Sequence, residues 1–150
     1  MDVSPGARLS RRTFVKGLAI GGVVASVGSW RADAQPIQPL PHGSPLSGTD
    51  FDLRIGESIA NFTGTPKVAH TVNGALPAPT LRWREGDTVT LRVTNTLRSH
   101  DASIHWHGIV LPANMDGVPG LSFDGIGRGE AYHYRFHVKQ GGTYWYHSHS

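Results

Sequence analysis

The chain has 150 residues, with 14 lysines and arginines against 11 aspartates and glutamates, and a formal net charge of +3 when its nine histidines are neutral. Five of the basic residues and two of the acidic ones fall in residues 1–34, so residues 35–150 hold nine of each and are neutral. A neutral body lacks the net positive charge that binding a phosphate backbone draws on, so no nucleic-acid partner is expected. Cysteine is absent, and that excludes disulfides, zinc-thiolate sites, iron–sulfur clusters and a copper thiolate within this chain.

The first segment reads as an export signal. "SRRTFVKG" places Arg11 and Arg12 ahead of Phe14 and Lys16, and a Gly-, Ala- and Val-rich run from Gly17 to Trp30 follows, ending in the small-residue site Ala32, Asp33, Ala34. The run is shorter and richer in glycine than the roughly 20 apolar residues that span a bilayer, so no stable membrane anchor is expected. The paired arginines resemble the twin-arginine signal, which carries folded proteins to the periplasm and suits a protein that acquires a cofactor before export. Residues 35–49 contain Pro36, Pro39, Pro41 and Pro45 and read as an extended leader.

From Asp50 the apolar residues recur at every second position: Phe51, Leu53 and Ile55; Leu81 and Trp83; Val89, Leu91 and Val93; Tyr132, Tyr134, Phe136 and Val138. That period marks half-buried antiparallel strands, and no helical period competes with it after residue 34. Turn signals separate the runs at Asn73-Gly74, Glu85-Gly86-Asp87, Asp116-Gly117, Gly125 to Gly129 and Gly141-Gly142. About seven short strands with such turns predict an all-β, Greek-key sandwich or barrel. His133 and His137 share the polar face of their strand with Arg135 and are expected in solvent. His100 in an "RSHD" turn, His42 in the leader and His70 in an ambiguous segment are not read as ligands. Tyr144, Trp145 and Tyr146 are read as core and interface packing.

Two stretches carry the chemistry: "SIHWHGIV", Ser103 to Val110, and "GTYWYHSHS", Gly142 to Ser150. Residues two apart in a strand point the same way, with Cα atoms roughly 6.5–7 Å apart, so His105 and His107 project together, as do His147 and His149. Trp106 points oppositely, towards a core. Neutral imidazole suits copper, zinc, iron and nickel. The spacing leaves open whether one ion takes all four nitrogens or several share them. Two other users of His-x-His do not fit. The metallo-β-lactamase pattern needs an aspartate and a histidine where Gly108 to Leu111 stand, and an amidohydrolase needs a barrel of about 250 residues.

"HWHG" and "HSH", with "TVNGALPAPTLRWREGDTVTLRVTNTL" before them and "LPANMDGVPG" between them, resemble the first cupredoxin (plastocyanin-like) domain of a multicopper oxidase, in particular the periplasmic copper-resistance, laccase-like branch. The resemblance covers nearly all of the chain after the signal. It implies a cupredoxin-like Greek-key sandwich over residues 50–150, truncated at its C-terminus, which supplies half of eight histidines around a trinuclear copper cluster. His105 would ligate the type 2 copper, and His107, His147 and His149 the type 3 pair. The implied reaction couples one-electron oxidation of cuprous ion or phenol-like donors to the four-electron reduction of dioxygen to water. Asp116, eleven residues after His105, matches a carboxylate that delivers protons in related oxidases; an Asp-Gly turn explains it equally well.

The chain also departs from the family. With no cysteine it cannot hold the type 1 copper, which the resemblance places in a missing C-terminal region. The chain is therefore expected to be a fragment, completed by C-terminal cupredoxin domains, inactive by itself and left with an unprotected sheet edge. The alternative is a non-catalytic periplasmic copper-binding or buffering protein. A metal-free structural cupredoxin is disfavoured by the four intact histidines, and the copper nitrite reductases by their first-domain cysteine.

Overall fold

The period-two pattern after Asp50 becomes the main sheet. The computed structural model describes residue 36 and residues 39–150, so the export-signal reading of residues 1–34 lies outside the described residues. The strands are β1 (Leu46–Ser47), β2 (Asp50–Ala60), β3 (Lys67–Val72), β4 (Leu81–Arg82), β5 (Thr88–Asn95), β6 (His105–His107), β7 (Ala131–His137) and β8 (Trp145–His147). Four of them form one sheet in the order β3-β2-β5-β7, with β2 parallel to β5 and the other neighbours antiparallel. The expected all-β architecture is what forms; among the described residues the one helical turn is a 3-10 turn at Ala113–Met115. No helix among them is long and apolar enough to cross a membrane.

Alternation decides which face of this sheet is buried. Phe51, Leu53 and Ile55 of β2, Val89, Leu91 and Val93 of β5, and Tyr134 and Phe136 of β7 all enter the core, and the register sets Leu53 beside Val93 and Leu91 beside Tyr134. Asp52, Arg54, Arg92, His133, Arg135 and His137 between them face water. Burying each large apolar side chain contributes about 1.5–3 kcal/mol, which is how a domain without disulfides is held together. The Asn73-Gly74 signal is realised as a tight reversal, with both residues at positive φ (53° and 73°) and the amides of Val72 and Ala75 each donating to the other's carbonyl at 3.3 and 3.1 Å.

The proline-rich segment contributes a strand ahead of Asp50. Leu46 donates its amide to the Thr80 carbonyl at 2.8 Å and Gly48 to that of Arg82 at 3.2 Å, so β1 runs parallel to β4 and Leu46 packs against the core. β6 and β8 form a separate antiparallel ladder. Its inner side meets the main sheet through Trp106, whose ring lies 5.4 Å from Tyr134 and 5.9 Å from Phe136 of β7.

Candidate metal centre

The β6–β8 ladder brings both His-x-His pairs together. His105 stands opposite His147, Trp106 opposite Tyr146, and His107 opposite Trp145. Successive side chains alternate across a ladder, so Trp106 and Tyr146 enter the core while His105, His107, Trp145 and His147 share the other face. The inner side is tightly held. Trp106 is 1% exposed, Tyr146 donates its hydroxyl to the Pro79 carbonyl at 2.6 Å, and burial pushes the Tyr146 phenol up to about 12. Burial also raises the Tyr134 phenol well above its ordinary value, and its oxygen accepts the amide of Ile104 at 3.3 Å, one residue before His105. The fully buried Ser103 accepts the amide of His149 at 3.0 Å, which ties the end of one pair to the start of the other.

The ring of His105 lies 5.5 Å from His107, 5.4 Å from His147 and 5.4 Å from His149, centroid to centroid. One nitrogen from each of His105, His107 and His147 falls within a 4.8 Å group. His149 stands at its edge, with its ring 6.0 Å from that of His147. Carbonyl oxygens set two of the tautomers. Nδ1–H of His105 donates to the Asp116 carbonyl at 2.8 Å, and Nδ1–H of His147 to the Ser148 carbonyl at 2.7 Å. A carbonyl only accepts, so the proton sits on Nδ1 of each ring and Nε2 is the nitrogen turned towards the cluster, that of His147 facing Nδ1 of His107. The Asp116 carboxylate adds a second contact to His105 Nδ1 at 3.3 Å.

Two turns fix the ends of β6. After it, Gln140 donates to the Gly108 carbonyl at 2.9 Å and to the Tyr144 hydroxyl at 2.9 Å, and accepts the Val110 amide at 3.0 Å. Before it, Gly117 presses so closely on the backbone that a Cβ there would sit 1.9 Å from the Ile104 carbonyl oxygen. Only glycine allows that approach, and it carries the neighbouring Asp116 carbonyl to His105.

The sequence pattern of the multicopper oxidase family matches residues 54–150. The chain belongs to the multicopper oxidase family. It is 61% identical over 143 residues to the copper resistance protein A homolog of Pseudomonas syringae pv. tomato and 59% identical over 143 residues to copper resistance protein A of Escherichia coli, covering 95% of this chain and 24% of each relative. A crystal structure of a multi-copper oxidase from Pseudomonas thermotolerans aligns with a TM-score of 0.63 at 34% identity, over 71% of this chain and 26% of that one. The chain thus spans about a quarter of the length of the curated relatives it matches. Its fold is the cupredoxin sandwich of these oxidases.

Family membership implies copper, and the residues of this multicopper oxidase chain fit it. The donor set is neutral imidazole, which suits copper, zinc, iron or nickel and not the oxygen-seeking calcium or magnesium. Nε2 of His147 and Nδ1 of His107 are 3.4 Å apart. Two nitrogens sharing one tetrahedral ion at about 2.0–2.1 Å would stand roughly 3.3–3.4 Å apart.

The other histidines of the described residues, His42, His70, His100, His133 and His137, are all exposed and outside the group; His70 and His100 bring their rings to 6.1 Å of each other. The three aromatics read as core and interface packing divide between the core and the site. Of Tyr144, Trp145 and Tyr146, only Tyr146 packs on the core. Trp145 is 58% exposed and stacks on His147 at 4.2 Å and 25°, and on His107 at 4.7 Å and 36°. The signal was available: residue 145 is two before 147, and the same period that pairs the histidines sets the indole beside them.

Proposed function

We propose that the chain is the N-terminal part of a periplasmic copper-resistance multicopper oxidase, with a twin-arginine export signal in residues 1–34, a Pro-rich leader that joins the fold at β1 rather than at residue 50, and the first cupredoxin domain from there to residue 150. His105 is a ligand of the type 2 copper, and His107, His147 and His149 are ligands of the type 3 pair. Bound copper supplies the one-electron steps that join oxidation of a small donor, cuprous ion or a phenol-like compound, to reduction of dioxygen. The protein supplies the rest. His105 and His147 are held in the tautomer that presents Nε2 by the carbonyls of Asp116 and Ser148. Reducing one dioxygen to two waters takes up four electrons and four protons, and Asp116 is the carboxylate beside the ligand set able to pass protons on. The type 1 copper and the other four cluster ligands come from C-terminal cupredoxin domains, so residues 1–150 alone do not turn over.

The observation that carries this reading is the antiparallel ladder with His105 opposite His147. The 61% identity to a protein named for copper resistance supports it. Its test is made on the complete gene product: the coding sequence after Ser150 should supply His-x-x-His-x-His and His-Cys-His segments, and the copper-loaded protein should consume oxygen. Alanine at any of the four histidines should lower bound copper and abolish uptake. A protein that binds copper through these histidines without consuming oxygen would establish the buffering role instead.

A further inference from the structure

We propose that Trp145 is a positioning residue for copper ligation, a stacking platform that sets the ring planes of His107 and His147 together; this rests on the reading that those histidines bind copper. A strand fixes where a histidine's Cβ lies but leaves the ring free to turn, because the torsion to an sp² ring is broad. Metal-binding histidines normally remove that freedom by donating the spare N–H to an oxygen. His105 and His147 do so, through the carbonyls of Asp116 and Ser148. His107 does not. Among the described residues its one hydrogen-bonding contact is Nε2 of His147 at 3.4 Å, a fellow ligand. An atom bound to the same ions cannot orient it beforehand.

What His107 meets instead is the indole directly across the ladder. Trp145 lies 4.7 Å from the His107 ring at 36° and 4.2 Å from the His147 ring at 25°. One flat side chain therefore rests against both rings whose nitrogens face each other. Its backbone is anchored from both sides. Tyr144 before it is bound through Gln140 to the Gly108 carbonyl, immediately after His107, and Tyr146 after it is bound to Pro79 and packed beside Trp106. The indole itself remains 58% exposed. A large apolar side chain left at the surface and stacked on two neighbouring imidazoles is placed to orient those rings rather than to fill a core.

The test uses the complete, copper-loaded gene product and its Trp145→Ala and Trp145→Phe variants. Three quantities are measured: copper remaining against a chelator over time, the fraction of copper visible by EPR, and thermal unfolding of the copper-free protein. Trp145→Ala should lose copper about tenfold faster, the lower end of what removing an orienting partner produces. It should also show more EPR-visible copper, because two cupric ions are jointly silent only while their ligands hold them in coupling geometry. Trp145→Phe, which keeps a stacking face, should stay close to the parent. Copper-free unfolding should be alike in all three proteins. Parental copper retention and EPR in Trp145→Ala overturns the proposal, and so does equal copper loss in both variants accompanied by earlier unfolding of the copper-free protein. If the parent binds no copper at these histidines, the reading of the site has failed, and that outcome is distinct from a copper-binding parent indifferent to Trp145.

Discussion

Gly117→Ala tests the link between backbone packing and the site most directly. Gly117 sits at φ +71°, and a Cβ there would lie 1.9 Å from the Ile104 carbonyl oxygen, 2.7 Å from its carbon and 3.2 Å from the Tyr134 hydroxyl. The left-handed backbone alone costs a non-glycine residue about 1–2 kcal/mol. Relieving the overlap requires the turn and β6 to part by roughly 1 Å, and overpacking of that kind typically costs about 1–3 kcal/mol. The expected destabilisation is therefore about 2–5 kcal/mol, which at roughly 4 °C per kcal/mol lowers Tm by about 8–20 °C. Gly129→Ala is the matched control, because Gly129 has φ +77° and nothing within 4 Å of its Cβ position; it should show the backbone cost alone. Parting the turn also withdraws the Asp116 carbonyl from His105 Nδ1, now at 2.8 Å, and copper affinity should fall by roughly tenfold or more. Thermal unfolding of the copper-free proteins and copper competition read the two effects. Equal melting of the two variants would refute the close approach on which the placement of Asp116 depends.

Two further outcomes follow from the site and the core. Asp116→Asn keeps the backbone carbonyl that holds His105 and removes the carboxylate, so bound copper should be unchanged while oxygen uptake by the loaded oxidase falls by about 10²-fold or more; undiminished uptake would leave Asp116 as a turn residue only. Burial raises the Tyr146 phenol from 10.0 to about 12 and favours its neutral form. In the pH range between those values the unfolded chain has lost a proton that the folded one keeps. The stability it contributes is then complete below about pH 10 and lost as pH rises towards 12. Circular dichroism across that range should show the loss, and Tyr146→Phe should lessen it, leaving the share that buried Tyr134 contributes in the same direction; an unchanged slope in the variant would place the titration elsewhere.

Much of this fold was legible because one period governs it. The runs at Phe51 to Ile55, Val89 to Val93 and Tyr134 to Val138 are buried as their alternation requires, and the positive-φ turn at Asn73-Gly74 follows from the preferences of those two residues. Leu46 was hidden because its strand is two residues long, lies among prolines and is specified by a partner at Leu81, thirty-five residues away; local pattern carries no such information. In the site, the two histidine pairs stood out by repetition. The oxygen partners of His105 and His147 did not, because they are backbone carbonyls, which every residue possesses. The stacking of Trp145 on the histidines was legible in principle, but reading three consecutive aromatics together as core and interface packing passes over which side of the strand each one takes.

The pairing of Trp106 with Tyr146, between the two histidine-bearing rungs, has a consequence for assembly. Sliding β8 by one position would point aromatic bulk outward and imidazoles into the hydrophobic interior, so a misaligned ladder forfeits its packing and its histidine face together. Exposed aromatic surface and a scattered histidine cluster therefore mark one and the same misaligned state, before any ion is bound.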